Sequence, residues 1–293
     1  MSTIFEFTRL AILSLVLAVN ASAFAQKQMA NGAERLVLAI NEGGSGSAIV
    51  IDIVFRYEKF KQVVEKALGA PVTMVALRDM TSLRRSMETG ASFIMARPDV
   101  AAEGIRDHGY RTVVVSKEPA YALFIVNKDS PLKTIADIKG KSILTPDRYA
   151  YMWRIANAMM RDNKISIANE RVRSMSDQAA IGWSMESDFF DVGVVASFSG
   201  VGRTWEKNGG RVIARSPEVP NTPLIASPKI SAAQIQKLRA ALVSLESTER
   251  GAAILKEIGV PGGFKEASSQ TFIALIECLG DLEMPRNNAA ISK

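Results

Sequence analysis

The sequence predicts an α/β protein of two lobes, each a mainly parallel sheet flanked by helices. Short apolar runs typical of buried strands alternate with amphipathic segments typical of helices, and this alternation occurs twice in series. The chain of 293 residues is also longer than one hydrophobic core usually organises. Together these observations favour two α/β units over a single one.

The first 25 residues have the form of a secretory signal peptide. An apolar run over residues 10–19 is too short to span a bilayer, and small residues follow it. We expect cleavage near Ala23 or Ala25 and export of the mature chain. An uncleaved membrane anchor is the alternative, because Glu6 weakens the basic character of the leader.

The first α/β unit begins with a predicted strand at residues 36–40 and a loop rich in glycine and serine. In the helix that follows, one face carries Ile49, Ile53, Phe60, Val64 and Leu68. Further strands are predicted at 71–77, 92–96, 111–115 and 121–126, and helices at 81–88, 98–107 and 134–138.

The second unit repeats the alternation. Strands are predicted at 142–145, 171–174, 191–196 and 211–214, and helices at 147–161, 177–187 and 200–208. Three prolines between 217 and 223 indicate a crossover between lobes. After it, only helices are predicted, starting from the capping box of Ser231 and Gln234 and continuing at 251–258 and 268–279. Without strands of their own, they are expected to pack on the first lobe.

Composition excludes several classes of function. Lys plus Arg number 36 against 30 for Asp plus Glu, an excess that favours anionic ligands or marks only a solvated basic surface. Basic blocks interleaved with aromatics are missing from the sequence, which disfavours nucleic acid. The sole histidine, His108, is expected at a solvated helix end, and the sole cysteine, Cys278, as a small buried hydrophobe. No metal, no cofactor and no enzymatic activity are expected.

Several motifs along the chain resemble one family, the phosphate/phosphonate-type substrate-binding components of ABC transporters. They lie at residues 68–72, 89–94, 121–131, 135–141, 191–195 and 253–259. The resemblance implies a type II periplasmic binding protein, in which two crossover hinge segments join the lobes and a ligand is clamped between them. We expect lobe 1 at 26–121, lobe 2 at 122–220 and a return to lobe 1 at 221–293.

Candidate ligand contacts lie where strands end and helices begin, since such points expose backbone N–H groups to anions. Ser45 and Ser47 follow the first strand, in a loop that is either an anion site or a flexible connector. Arg97 precedes the helix that starts at Pro98, and it contacts either the ligand or surface carboxylates. Tyr121 is predicted either near the cleft or in the core.

The start of the helix at 147–161 departs from the family. Phosphonate binders of this type place a Ser-Thr-Ser-Gly cluster there, whereas this chain has Asp147, Arg148, Tyr149 and Ala150. Asp147 is expected to cap the helix and to repel a dianion, and Arg148 to restore positive charge. Tyr149 and Trp153, four residues apart, are expected to pair. The expected ligand is therefore a smaller or less charged oxyanion, a carboxylate, or an organic molecule with an aromatic part.

Two serines at strand ends, Ser174 and Ser197, complete the candidates. The leading hypothesis is a monomeric periplasmic solute-binding protein that captures a small anionic ligand for an ABC transporter permease. The alternative is an orphan sensor that presents its bound state to a membrane signalling receptor.

Overall fold

The structure is a computed structural model that describes residues 35–42, 50–166 and 171–280. The predicted signal peptide and the candidates Ser45 and Ser47 lie outside these residues. The strands are β1 (Leu36–Ile40), β2 (Val72–Ala76), β3 (Phe93–Met95), β4 (Arg111–Ser116), β5 (Ala122–Val126), β6 (Ser142–Pro146), β7 (Arg171–Met175), β8 (Val192–Ala196), β9 (Arg211–Arg215), β10 (Leu224–Ala226) and β11 (Phe264–Lys265). The helices are α1 (Val50–Leu68), α2 (Met80–Glu88), α3 (Pro98–His108), α4 (Tyr151–Asp162), α5 (Gln178–Glu186), α6 (Gly200–Thr204), α7 (Ala232–Val243), α8 (Glu249–Glu257) and α9 (Ser269–Leu279), with 3-10 turns at Ile135–Ile138 and Leu245–Ser247.

Two mixed sheets form the core, and each has helices on both faces. The first has the order β11-β4-β10-β3-β1-β2, and the second has the order β7-β6-β8-β5-β9. In the first sheet β1, β2 and β3 are parallel, while β10 runs antiparallel between β3 and β4. In the second sheet β6, β7 and β8 are parallel, while β5 runs antiparallel between β8 and β9. The fold class predicted from the sequence is therefore confirmed.

The chain passes between the sheets twice, from β4 to β5 and from β9 to β10. The two passages are hydrogen-bonded to each other, since the Ala120 N–H donates to the Val219 carbonyl at 2.9 Å and the Val219 N–H donates to the Ala120 carbonyl at 2.8 Å. The second passage coincides with the proline-rich segment in which a crossover was predicted.

Local capping explains why the helices begin where they do. The Asp79 and Asp177 side chains accept hydrogen bonds from backbone N–H groups in the first turns of α2 and α5. Ser231 and Gln234 form the predicted capping box of α7. None of the described helices combines the length and apolar character that a membrane span requires.

The structure corrects several details of the expected elements, while α9 packs on α3 of the first sheet as expected. The C-terminal part contributes two strands, β10 and β11, to the first sheet. Helix α9 packs on both α3 and α4, and it places Leu275 in the core cluster of the second sheet. Helix α6 is also shorter than predicted. Cys278 is exposed, because α9 buries Phe272 and Leu275 instead. His108 ends α3 and is partly exposed, as expected.

Candidate functional site

The carboxyl ends of the parallel strands form one edge of each sheet. In the first sheet β1, β2 and β3 lead into α1, α2 and α3, and in the second sheet β6, β7 and β8 lead into α4, α5 and α6. The loops at these two edges therefore hold the starts of six helices. Most of the candidate residues lie at these edges.

At the edge of the second sheet, Tyr121 and Ser197 are direct neighbours. The Ser197 N–H donates to the Tyr121 carbonyl at 2.9 Å, and the Tyr121 N–H donates to Ser197 Oγ at 3.2 Å. Strands β6 and β8 are parallel, and Leu144 lies opposite Gly193. Continuing this pairing three residues further places Asp147 opposite Ala196, the last residue of β8. The structure thus brings Tyr121, Ser197 and Asp147 together on neighbouring strands, which lie about 4.8 Å apart.

Ser174 lies farther away on the same sheet. It is opposite Thr145 on the exposed edge strand β7, with β6 and β8 between it and β5. Three strand spacings, about 14 Å, thus separate β7 from β5. Ser174 is at the outer margin of the edge and is not grouped with Tyr121 and Ser197.

Asp147 does not cap α4, contrary to expectation. Its Oδ1 accepts a hydrogen bond from the Tyr149 N–H at 2.9 Å, and its carbonyl accepts one from the Ala150 N–H at 2.7 Å. The side chain thus closes a tight turn of its own, and α4 begins only at Tyr151. Ala150 occupies the cap position without a side-chain hydrogen bond. The first turn of α4 therefore keeps backbone N–H groups that no side chain satisfies.

The later helix start also changes the aromatic pair. Tyr149 precedes the helix, so the four-residue spacing does not bring it onto a common helical face with Trp153, which is buried in the core. Tyr149 contacts a different group: the Arg148 guanidinium lies 5.1 Å from the centre of its ring. Arg148 is exposed, and it forms no ion pair within the described part of the chain. It is the available cation at this edge.

Arg215, which no sequence argument selected, adds a second cation. Its guanidinium lies 6.0 Å from the centre of the Tyr121 ring and 3.1 Å from a carboxylate oxygen of Glu206. Arg148 and Arg215 therefore both lie over tyrosine rings, but of these two only Arg215 is paired with a carboxylate.

At the edge of the first sheet, Arg97 is held by Asp99. Its Nη2 and Nε lie 2.6 Å and 3.1 Å from the two Asp99 carboxylate oxygens. Arg154 of α4 also binds Asp99, at 2.9 Å. Burial alone would raise the pKa of the Asp99 carboxyl, but the guanidinium groups of Arg97 and Arg154 outweigh it and hold that pKa below its usual value. A ligand contact by Arg97 stays a prediction, and it would require the guanidinium to bind Asp99 and the ligand together.

Asn41 organises the same edge and was missed by the sequence analysis. Its backbone N–H donates to the Met95 carbonyl at 2.9 Å, and its side-chain Nδ2 donates to the Leu77 carbonyl at 2.7 Å. The buried amide thereby ties together the carboxyl ends of β1, β2 and β3. An amide side chain directly after a buried apolar strand is the signal that could have identified it.

Gln178 has a comparable role at the second sheet. Its Oε1 accepts a hydrogen bond from the Ala196 N–H at 2.7 Å, which ties the start of α5 to the last residue of β8. The position of Ser197 therefore depends on this contact. In the described ranges, no three His, Cys, Asp or Glu side chains are grouped as metal ligands would be.

Comparison with known proteins gives a family match over most of the chain. Residues 51–272 match a family described as "ABC transporter, phosphonate, periplasmic substrate-binding protein". No curated protein sequence matches the chain.

Solved structures with the same fold include the following three. XAC2383 from Xanthomonas citri bound to ATP is 14% identical with a TM-score of 0.63, over 83% of this chain and 98% of that one. PhnD1 from Prochlorococcus marinus in complex with methylphosphonate is 12% identical with a TM-score of 0.63, over 83% of this chain and 96% of that one. The periplasmic aliphatic sulphonate binding protein SsuA from Escherichia coli is 13% identical with a TM-score of 0.52, over 84% of each chain. At these identities the likeness establishes the fold.

Proposed function

The chain belongs to the periplasmic phosphonate substrate-binding family of ABC transporters, and on this premise we propose that it captures a small organic oxyanion and delivers it to a transporter permease. Members of this family bind substrates and are not enzymes. Phosphonates and sulfonates are the proposed ligand classes, because proteins of the same fold are described as binding methylphosphonate and aliphatic sulphonate. The family description concerns transport and lends no support to the sensing alternative.

One observation carries the proposal: the Asp147–Ala150 turn and the Tyr121–Ser197 pair meet at a single edge, at the uncapped start of α4. A helix start carries roughly half a positive charge, and its N–H groups can donate to an anion. Arg148 adds a full positive charge next to it. The edge therefore offers donors and positive potential to a small oxyanion.

We infer that the two sheets are the cores of two lobes, with boundaries at 26–121, 122–220 and 221–293. The two hydrogen-bonded passages support this inference, since a pair of short extended segments can serve as a hinge. Arg97 at the first-sheet edge already lies against α4 through Asp99 and Arg154, so motion about this hinge would open that contact to admit the ligand and close it again over the bound ligand.

We also infer that residues 1–25 are a signal peptide cleaved near Ala23 or Ala25, in keeping with the periplasmic family. Mass spectrometry of the protein recovered from the periplasmic fraction tests this. A mass that includes the first 25 residues would contradict it. Size-exclusion chromatography of the same sample tests the proposed monomer.

The ligand is tested by calorimetry on the secreted protein with methylphosphonate, ethanesulfonate, phosphate and acetate. We expect at least one organic oxyanion to bind and to raise the melting temperature, because it binds the native state only. Arg148→Ala should weaken that binding about tenfold or more, whereas Arg250→Ala, an exposed arginine of α8, should not. If no organic oxyanion binds, or if both variants bind alike, this assignment is wrong.

A further inference from the structure

We propose that the ligand carries an aromatic substituent next to a single negative charge, as an arylsulfonate or the monoanion of an arylphosphonate does. The inference rests on the proposed function, since it names the class of ligand for the same edge of the second sheet.

Three aromatic side chains surround this edge. Tyr121 directly precedes β5, Tyr149 lies in the turn after β6, and Phe198 directly follows Ser197 after β8. Because β6, β8 and β5 are consecutive in the sheet, the three residues occupy neighbouring positions. They form the aromatic edge, which we define as Tyr121, Tyr149 and Phe198.

The aromatic edge leaves ring surface uncovered. Phe198 is 42% exposed, and within the described residues it contacts no other aromatic ring. Trp183 and Phe189 are also exposed, but unlike Phe198 they contact each other, with ring centres 5.6 Å apart. An aromatic group of the ligand placed on Phe198 would remove apolar surface from water.

The cations of this edge lie next to the rings. Arg148 lies over Tyr149, and Arg215 lies over Tyr121. A guanidinium over a ring keeps N–H donors on its edge that can bind an oxyanion. An anion bound there has aromatic surface at its side, which suits a ligand whose acidic group is attached directly to a ring.

The charges of the edge suit one negative charge better than two. The Asp147 carboxylate is fixed in the turn by the Tyr149 N–H and offsets Arg148, while Glu206 offsets Arg215. The turn also holds no hydroxyl group apart from the Tyr149 phenol. A dianion would therefore be repelled by Asp147, and the turn lacks the hydroxyl donors that could compensate.

Four probes test the proposal by calorimetry on the full secreted protein: ethanesulfonate, benzenesulfonate, ethylphosphonate and phenylphosphonate. We expect each aryl compound to bind about tenfold more tightly than its alkyl counterpart. Raising the pH through the second ionisation of phenylphosphonate should weaken its binding, whereas the affinity for benzenesulfonate should stay unchanged. Equal affinity for aryl and alkyl probes, or tighter binding of the dianion, overturns the proposal.

Variants separate the two parts of the argument. Phe198→Ala should bring the aryl and alkyl affinities together, while Trp183→Ala, the matched exposed aromatic, should leave their ratio unchanged. Asp147→Asn keeps an acceptor for the Tyr149 N–H, and it should remove the penalty on the phenylphosphonate dianion. If Phe198→Ala and Trp183→Ala behave alike, the aromatic edge does not select the ligand. If none of the four probes binds, the proposed function itself fails.

Discussion

Asp99 and Arg154 join the two halves of the molecule through a buried ion pair. Arg154 Nη1, from the helix that follows the first strand of the second sheet, lies 2.9 Å from Asp99 Oδ2, and the two side chains are only 10% and 1% exposed. Asp99 also binds Arg97, which directly precedes the same helix. One carboxylate thus compensates two buried guanidinium groups on opposite sides of the contact between α3 and α4.

Removing this charge should destabilise the protein strongly. Asp99→Asn leaves two buried guanidinium groups without a counter-ion, and we expect a loss of about 3–5 kcal/mol in the free energy of unfolding. Urea denaturation measures it. Asp162→Asn, which removes the exposed partner of Arg161, is the control and should change stability by less than about 1 kcal/mol. Similar losses in both variants would contradict the role given to Asp99.

The same carboxyl should make stability depend on acid pH. Because its pKa is lower in the folded protein than in the unfolded chain, the stabilisation is fully present above the usual Asp pKa of about 4 and is lost as the pH falls through the folded value. The melting temperature of the wild type should therefore fall more steeply below about pH 4 than that of Asp99→Asn. Parallel curves would show that Asp99 is not charged in the folded state.

Cys278 should react in the native protein. It is the only cysteine of the chain and is exposed on α9. A maleimide reagent should add one label without denaturant, which intact-protein mass spectrometry detects. Labelling that requires denaturant would instead support the buried position expected from the sequence.

Gly202 should be intolerant of a side chain. A Cβ at this position would collide with the carbonyl oxygen of Ala196, the last residue of β8, directly before Ser197. We expect Gly202→Ala to cost about 1–3 kcal/mol of stability and to weaken oxyanion binding.

Gly200→Ala, in the same short helix, meets open space and is the matched control for Gly202→Ala. It should leave both stability and binding close to those of the wild type. Equal behaviour of the two variants in thermal denaturation and calorimetry would show that the end of β8 does not depend on close packing against α6.

Most regular elements could be predicted because their signals are local. The amphipathic face of α1 and the capping box of Ser231 and Gln234 each depend on residues a few positions apart. The start of α4 was misplaced because an aspartate two residues before a backbone N–H can close a turn as well as cap a helix. Strands β10 and β11 escaped prediction because three and two residues carry no periodic pattern.

The sequence by itself determined the α/β class and the two successive sets of strands and helices, because strand and helix periodicities are properties of neighbouring residues, and its motifs carried the resemblance to the family. Only the tertiary structure decided that Asp99 meets Arg154, that Ser197 pairs with Tyr121 from 76 positions away, and that Cys278 faces solvent. These contacts depend on which strands become neighbours and on which helix faces are covered. That outcome is set by the burial of the whole core, and no short stretch of sequence contains it.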